Sequence, residues 1–456
     1  MDYFSDLANW LASCFWGLHF VFIIAASGVI FTVYLQFPQI RFFYHALRVI
    51  VGKYINPRQR IRGELSSFRA FCSAISTPIG LGSIAGVSIA ITTGGPGSVF
   101  WMWVAGLIGM ATKLVSITAA MLHHGEDKKE NIIQKIGPMF TIKNGLPTTL
   151  HWMAALYCVL TILVSLGAGN LFQSNQIAKL LSISLNLPEY ISGLIIATIA
   201  FFAIIKKNSL PANIVSKFAP FFILAYTMGA AWIIFKNFEQ TKEIFAYIVT
   251  NALHPASVAG GIVGLTSKEI IITGARRALF SNEAGMGSSA MAQRIASTNP
   301  VQEGIIGMLG PFIDTIIVST ITALIILMTN AWNRDGSMQG IELSAKAFVI
   351  TFGKHGMYFF TLFVLLFAFS TMMTWANYGE KAFHFLFTKA NSNYYNYLFV
   401  ALIVVGAIAR LDIIVNLTDI IIALMILPNL TANLLLMKEV KAKLKKYKID
   451  LKAERI

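Results

Sequence analysis

The sequence predicts an all-α polytopic membrane protein, an inverted repeat of five plus five helices with one extra N-terminal span, about 11 transmembrane helices in all. Three observations predict it. Of 456 residues, 56% are hydrophobic and only 12% are charged, whereas a soluble domain carries about 25% charged residues. Apolar runs long enough to cross a bilayer recur along the whole chain. Two of those runs are broken at corresponding positions of the two halves, at Ser76-Thr77-Pro78-Ile79-Gly80-Leu81-Gly82-Ser83 and at Ser281-Asn282-Glu283-Ala284-Gly285-Met286-Gly287-Ser288. Proline removes a backbone donor and glycine gains too much freedom on unfolding, so neither stretch makes a good continuous helix.

The first span covers residues 15–37. Ahead of it, Met1 to Cys14 lacks a basic n-region and a small-residue cleavage site, so no cleaved signal is expected. A basic loop, 38–63, holds Arg41, Arg48, Lys53, Arg58, Arg60 and Arg62, and its Phe42-Phe43-Tyr44 and Ala46-Leu47 suit a short interfacial helix. The first broken helix runs over 65–93 and ends at the uncharged turn Thr92-Thr93-Gly94-Gly95-Pro96-Gly97. A span over 98–122 opens with the aromatic belt Phe100-Trp101-Met102-Trp103. After a polar, lysine-bearing loop at 123–147 come spans at 148–182, 189–205 and 211–235. Residues 236–258 are too polar to span and are expected to cap one face. The second broken helix covers 259–297, followed by spans at 302–329, 356–388, 392–409 and 411–437, while 341–352 is too short to cross. The tail 438–456 carries Lys438, Lys441, Lys443, Lys445, Lys446, Lys448, Lys452 and Arg455.

Basic loops stay on the cytoplasmic side. With the tail inside, the N-terminus lies outside, loops 38–63, 123–147 and 206–217 fall inside, and the 92–97 turn falls outside. The net charge of +15 is thereby read as orientation, with anionic membrane lipid as partner of the tail, and not as nucleic-acid binding. Setting the first span aside leaves two sets of five, each beginning with a broken helix. Five is odd, so the halves have opposite orientation, as in the LeuT type of inverted repeat. The units are 1–63, the extra span with its loop; 64–235, the first repeat; 236–437, the cap and second repeat; and 438–456, the tail.

A broken helix exposes unpaired backbone groups at mid-membrane. The N–H groups opening the second half-helix suit a carboxylate, and the carbonyls closing the first suit a small hard cation. Gly80 and Gly82 would let a ligand approach the backbone. A packing kink is the alternative for one break; two matched breaks point to a secondary transporter. Ser370 and Thr371 are adjacent hydroxyls in an apolar span, suited either to bonding carbonyls of their own helix or to ligating a cation. Lys113, Arg276, Arg277, Glu283, Asp314 and Glu380 are ionisable at membrane depth, and Glu283 and Asp314 are expected to neutralise Arg276 or Arg277, with a proton relay as the alternative. Three scattered cysteines, Cys14, Cys72 and Cys158, make no disulfide framework, and the eight histidines have no metal-ligand spacing. No nucleophile–base pair marks an enzyme, and no cofactor is expected.

Several longer motifs carry a family resemblance. Gly80-Leu81-Gly82-Ser83-Ile84-Ala85-Gly86-Val87 and Gly94-Gly95-Pro96-Gly97-Ser98-Val99-Phe100-Trp101-Met102-Trp103 are followed by Gly169-Asn170-Leu171-Phe172-Gln173-Ser174-Asn175 and Leu279-Phe280-Ser281-Asn282-Glu283-Ala284-Gly285-Met286-Gly287-Ser288. Phe312-Ile313-Asp314-Thr315 and Phe367-Ala368-Phe369-Ser370-Thr371, with Trp375 and Tyr378-Gly379-Glu380, complete the set. In this order, over about residues 65–435, they resemble the alanine/glycine:cation symporter family. That resemblance implies a LeuT-type fold and Na⁺-coupled uptake of a small neutral amino acid (alanine, glycine or serine) by a multi-pass protein of the bacterial plasma membrane, taken to be a monomer. It implies that amides near Leu81, Gly82 and Ser83 hold the substrate carboxylate, that Gln173 holds the polar end, and that Phe280 and Trp375 wall in the side chain. Na⁺ would be bound by carbonyls near Ser76, Ile79 and Phe367 and by the hydroxyls of Ser370 and Thr371.

The chain departs from the family pattern at two places. Gly80-Leu81-Gly82-Ser83 stands where the family usually reads Gly-Thr-Gly-Asn, so a hydroxyl and a longer amide are lost. Ser116 stands where the family tends to have Glu after Lys113, so Lys113 is expected to be unpaired or to face the cytoplasm. Proton-coupled or exchange transport of the same substrates is the alternative reading, and a non-transporting amino-acid sensor a further one.

Overall fold

The computed structural model describes residues 10–50, 54, 80–125, 135–206, 210–253, 266–292, 299–332 and 338–453, and every regular element among them is helical. The chain order is α1 Leu18–Tyr34, α2 Phe43–Ile50, a 3-10 turn Leu81–Ser83, α3 Ala85–Gly94, α4 Gly97–Leu122 and α5 Thr148–Leu185. Next come α6 Glu189–Ile204, α7 Leu210–Lys236, α8 Phe238–Leu253, α9 Ser267–Asn282 and α10 Pro300–Met328. The last three are α11 Ile341–Leu386, α12 Asn393–Ile408 and α13 Leu411–Lys452. Five of these (α4, α5, α10, α11 and α13) are long and apolar enough to cross a membrane, and shorter apolar helices include α1, α6 and α12. The protein is a multi-pass membrane protein.

Hydrocarbon offers no hydrophobic drive for helices to associate, so packing falls to close approach of backbones at small residues. A Cβ on Gly304 of α10 would meet the Leu114 carbonyl of α4 at 2.9 Å, and one on Gly193 of α6 would meet the Ala407 methyl of α12 at 2.7 Å. α4 is the central post: α10 and α9 pack on it most extensively, and α1, α8 and α13 also lean on it. α11 packs on α5, and α12 packs on both α5 and α6.

Three of the described helices are irregular along their length. α5 contains a π turn at Gly167–Leu171 and α10 another at Phe312–Val318. α11 is two pieces joined at Gly353, whose φ of +62° only glycine adopts easily. The short piece before Gly353 coincides with 341–352, read from sequence as too short to cross. The segment 236–258, expected to cap one face, contains the helix α8 as far as Leu253.

The basic tail is helical and partly buried. α13 continues unbroken to Lys452. Val440, Leu444 and Tyr447 recur at helical spacing and are buried, Tyr447 Oη lies 2.6 Å from His45 Nε2 of α2, and Glu439 pairs with His123 at 2.9 Å. One face of the tail therefore packs on the protein; Lys438, Lys443, Lys445, Lys446 and Lys452 are exposed, whereas Lys441 lies over the Tyr34 ring of α1.

Candidate functional site

The second break is built from residues that leave the helix at defined points. α9 ends at Asn282, Glu283 takes φ +56°, Gly285 and Gly287 take +91° and +80°, and a new turn opens at Ser288. Backbone groups freed by a break in hydrocarbon must be satisfied by protein. Here Asn429 of α13 donates to the Gly285 carbonyl at 2.7 Å, Tyr157 of α5 donates to the Met286 carbonyl at 2.9 Å, and the Asn282 side chain accepts from Ala284 N at 2.9 Å. Ser116 donates to the same Asn429 at 3.3 Å, so this hydroxyl of α4 supports the break through α13.

At the first break, Gly80 is extended, Leu81–Ser83 form the 3-10 turn, and α3 starts at Ala85. The first N–H groups of a helix lack intrahelical acceptors, and here they open beside the second break. Ser83 donates back to the Gly80 carbonyl at 3.2 Å. Ser76 and Ile79 lie outside the described residues, so two of the five residues expected to bind the cation are not placed.

The described candidates are joined in a closed circuit of contacts. A Cβ on Gly82 would fall 2.7 Å from Ser281 Cα, so the two breaks touch backbone to backbone. Next to Ser281, Phe280 stacks edge-on against Phe172 at 4.9 Å. Gln173, which follows Phe172, donates to the Ala168 carbonyl within the π turn at 3.0 Å, and its Oε1 is buried with no partner among the described residues. Gly169 of that turn abuts Trp375: a Cβ on it would lie 3.2 Å from Trp375 Cδ1 and closer still to Cβ and Cγ. One helical turn before Trp375, Thr371 Oγ1 would sit 2.9 Å from a Cβ on Gly80, which closes the circuit. Thr371 also donates to the Phe367 carbonyl at 3.0 Å, the local bond open to any helical threonine. Ser370 is only half-buried, whereas Thr371 is buried.

Charge is gathered in two clusters near Phe280. In one, Arg276 and Arg277 converge on Asp419 of α13; Arg276 Nη2 is 2.7 Å from Oδ2, and Arg277 is closer still to the same oxygen. Arg277 also lies over the Phe280 ring, 5.2 Å from its centroid. In the other, Asp314 of the α10 π turn accepts from Ser281 at 2.6 Å and Thr315 at 3.1 Å, and interacts with Ser83. Glu283 accepts from Ser288 at 2.6 Å.

Two sequence expectations are corrected here. Glu283 and Asp314 do not pair with the arginines; Asp419 pairs with both. Lys113 does not face the cytoplasm: it is 3% exposed, and the charges of Glu283 and Asp314 both act on it. Asp419 was not singled out from sequence, although an aspartate inside an apolar span is itself a signal.

Comparisons agree with this architecture. A profile described as the sodium:alanine symporter family matches residues 1–455. An uncharacterized transporter of Haemophilus influenzae is 34% identical over 97% of this chain and 96% of its own length. The sodium/alanine symporter AgcS of Methanococcus maripaludis is 30% identical over 96% and 95%, and the probable sodium/glutamine symporter GlnT of Bacillus subtilis 32% over 99% and 92%. A crystal structure of a manganese transporter mutant from Eremococcus coleocola superposes with a TM-score of 0.50 at 11% identity, over 80% of this chain and 78% of that one, and so shares the fold alone. On its full-length match and on these relatives, the chain belongs to the sodium:alanine symporter family, a family of amino-acid:cation symporters.

Proposed function

We propose that this protein imports a small neutral amino acid, alanine, glycine or serine, by Na⁺ symport with alternating access. The observation that carries the reading is the closed circuit: two helix breaks in contact, ringed by Phe280, Gln173, Trp375 and Thr371. The amides of Leu81, Gly82 and Ser83 would take the substrate carboxylate, and the orphaned Gln173 Oε1 would accept from its ammonium. Phe280 and Trp375 would bound the side chain, and their bulk favours a small cargo. Na⁺ would be held by oxygens of Ser76, Ile79, Phe367, Ser370 and Thr371, beside the carboxylate it helps to neutralise. The name of the Methanococcus relative supports alanine.

The frame is a LeuT-type inverted repeat of about 11 spans, with residues 64–235 and 236–437 as the repeats and the C-terminus cytoplasmic. Its support is that like-placed elements pack on each other: α3 on α9, α4 on α10, and α5 on α11.

The test is uptake of labelled glycine, L-alanine, D-alanine and serine into proteoliposomes with and without an inward Na⁺ gradient. Failure to accumulate any of them under the gradient would rule the reading out. Thr371→Ala should weaken the Na⁺ dependence about tenfold, the loss of roughly 1.4 kcal/mol of ion binding, while Thr371→Ser should keep it. The buried carboxylates Glu283 and Asp314 favour one second reading, with a proton as coupling ion. That version predicts uptake indifferent to Na⁺ and collapsed by an uncoupler.

A further inference from the structure

We infer that Arg276, Arg277 and Asp419 form a binding site for a small inorganic anion of the chloride class, beside Phe280 and distinct from the amino-acid site. Two guanidinium groups share one carboxylate, so the cluster carries a net charge of +1. It is enclosed: the Arg277 side chain is 2% exposed, Asp419 1% and Arg276 18%. An uncompensated charge held away from water is costly, and in a membrane protein such charges are paired or serve a ligand.

Where the free donors sit supports this. Both arginines use Nη2 on Asp419 Oδ2. Arg277 Nη1 and Arg276 Nε remain buried with no hydrogen-bond partner among the described residues. Asp419 Oδ1 is likewise without a partner, so the two free nitrogens are not spending their hydrogens on it. A small anion accepting from both would restore neutrality and satisfy two buried donors, in the charge-assisted geometry guanidinium groups favour.

The surroundings limit the ligand to one small and simply shaped. The Trp16 indole N–H is committed to the Asp419 carbonyl at 2.8 Å, and the Trp16 ring lies 5.8 Å from the Arg276 guanidinium carbon. The Phe280 ring occupies the space beside Arg277. Trp16 stands just ahead of α1, so the span outside the two five-helix sets completes the enclosure.

The experiment is thermal unfolding of the purified full-length protein at fixed Na⁺ and ionic strength, with chloride replacing gluconate. The expected result is a saturable rise of the midpoint by about 2 °C or more, because a ligand that binds only the folded state stabilises it. Bromide should act similarly. Arg276→Gln makes the cluster neutral while leaving the Arg277–Asp419 pair, and should weaken the apparent chloride affinity at least tenfold. Asp419→Asn, purified in chloride, should lose more stability than wild type on transfer to gluconate, a direction opposite to that of a mere ion pair. Should that variant not fold, Arg276→Gln decides alone. Equal midpoints in chloride and gluconate for the wild type would overturn the inference. So would a chloride response unchanged in Arg276→Gln, or stabilisation in gluconate by L-aspartate, which would place an amino acid's own carboxylate at the arginines. The readout is stability, so it stands whichever amino acid is carried.

Discussion

Two charged clusters lie near Phe280, and they are built differently. The Arg276–Arg277–Asp419 cluster joins α9 to α13 by direct ion pairs and holds a net positive charge. The cluster of Glu283, Asp314 and Lys113 holds a net negative charge, and its carboxylates are met by the hydroxyls of Ser281, Thr315 and Ser288. A direct pair between two helices is strong when made and costly when broken, which suits a lock. Hydroxyls around a carboxylate can turn to share it with an arriving cation, which suits a site that fills and empties. The contrast assigns a holding role to one cluster and an exchanging role to the other.

The largest effect should come from breaking the lock. Asp419→Ala leaves two guanidinium groups buried without their carboxylate and is expected to lose about 3–5 kcal/mol of stability, read as loss of monodisperse protein or a steep fall in unfolding midpoint. An unchanged midpoint would show that the ion pairs do not hold α9 to α13. Gly82→Ala should come next, because its Cβ would meet the Ser281 backbone at 2.7 Å and neither chain can yield without moving a break. About 1–3 kcal/mol of overpacking is expected, with transport lost while folded protein remains detectable. Asp314→Asn tests the exchanging cluster. It should leave the protein folded and lower the response of uptake to the cation about tenfold, or roughly 1.4 kcal/mol; a wild-type cation response would remove Asp314 from the coupling machinery. The smallest change is Ser116→Ala. It removes one 3.3 Å bond to Asn429 and should reduce stability by about 0.5–1.5 kcal/mol with little effect on uptake.

Much of the architecture was legible because it depends on local composition. The runs that became α4, α5, α10 and α13 are visible as hydropathy. Gly285 and Gly287 announced the second break, since few other residues accept the positive φ found there. The short helix α2 was legible in its aromatic and apolar residues. The π turns at Gly167–Leu171 and Phe312–Val318 were not, because insertion of one residue into a helix leaves hydropathy unchanged. The arginine pairing was misread for a similar reason. Arg277 and Glu283 are six residues apart on the chain, so helical rise alone separates them by about 9 Å, and Glu283 takes the left-handed conformation just past the end of α9.

From the sequence alone came the membrane class, the sites of the two breaks, and the residue types suited to a carboxylate and a cation. Each depends on neighbours along the chain, where propensity and hydropathy act. Only the tertiary structure decided that Gly82 meets Ser281, that Gly80 meets Thr371, that Trp375 meets Gly169, and that Asp419, not Glu283 or Asp314, answers the arginines. Those contacts join residues from helices far apart in sequence. Which helices cross, and at which small residue, is set by the packing of the whole bundle around α4.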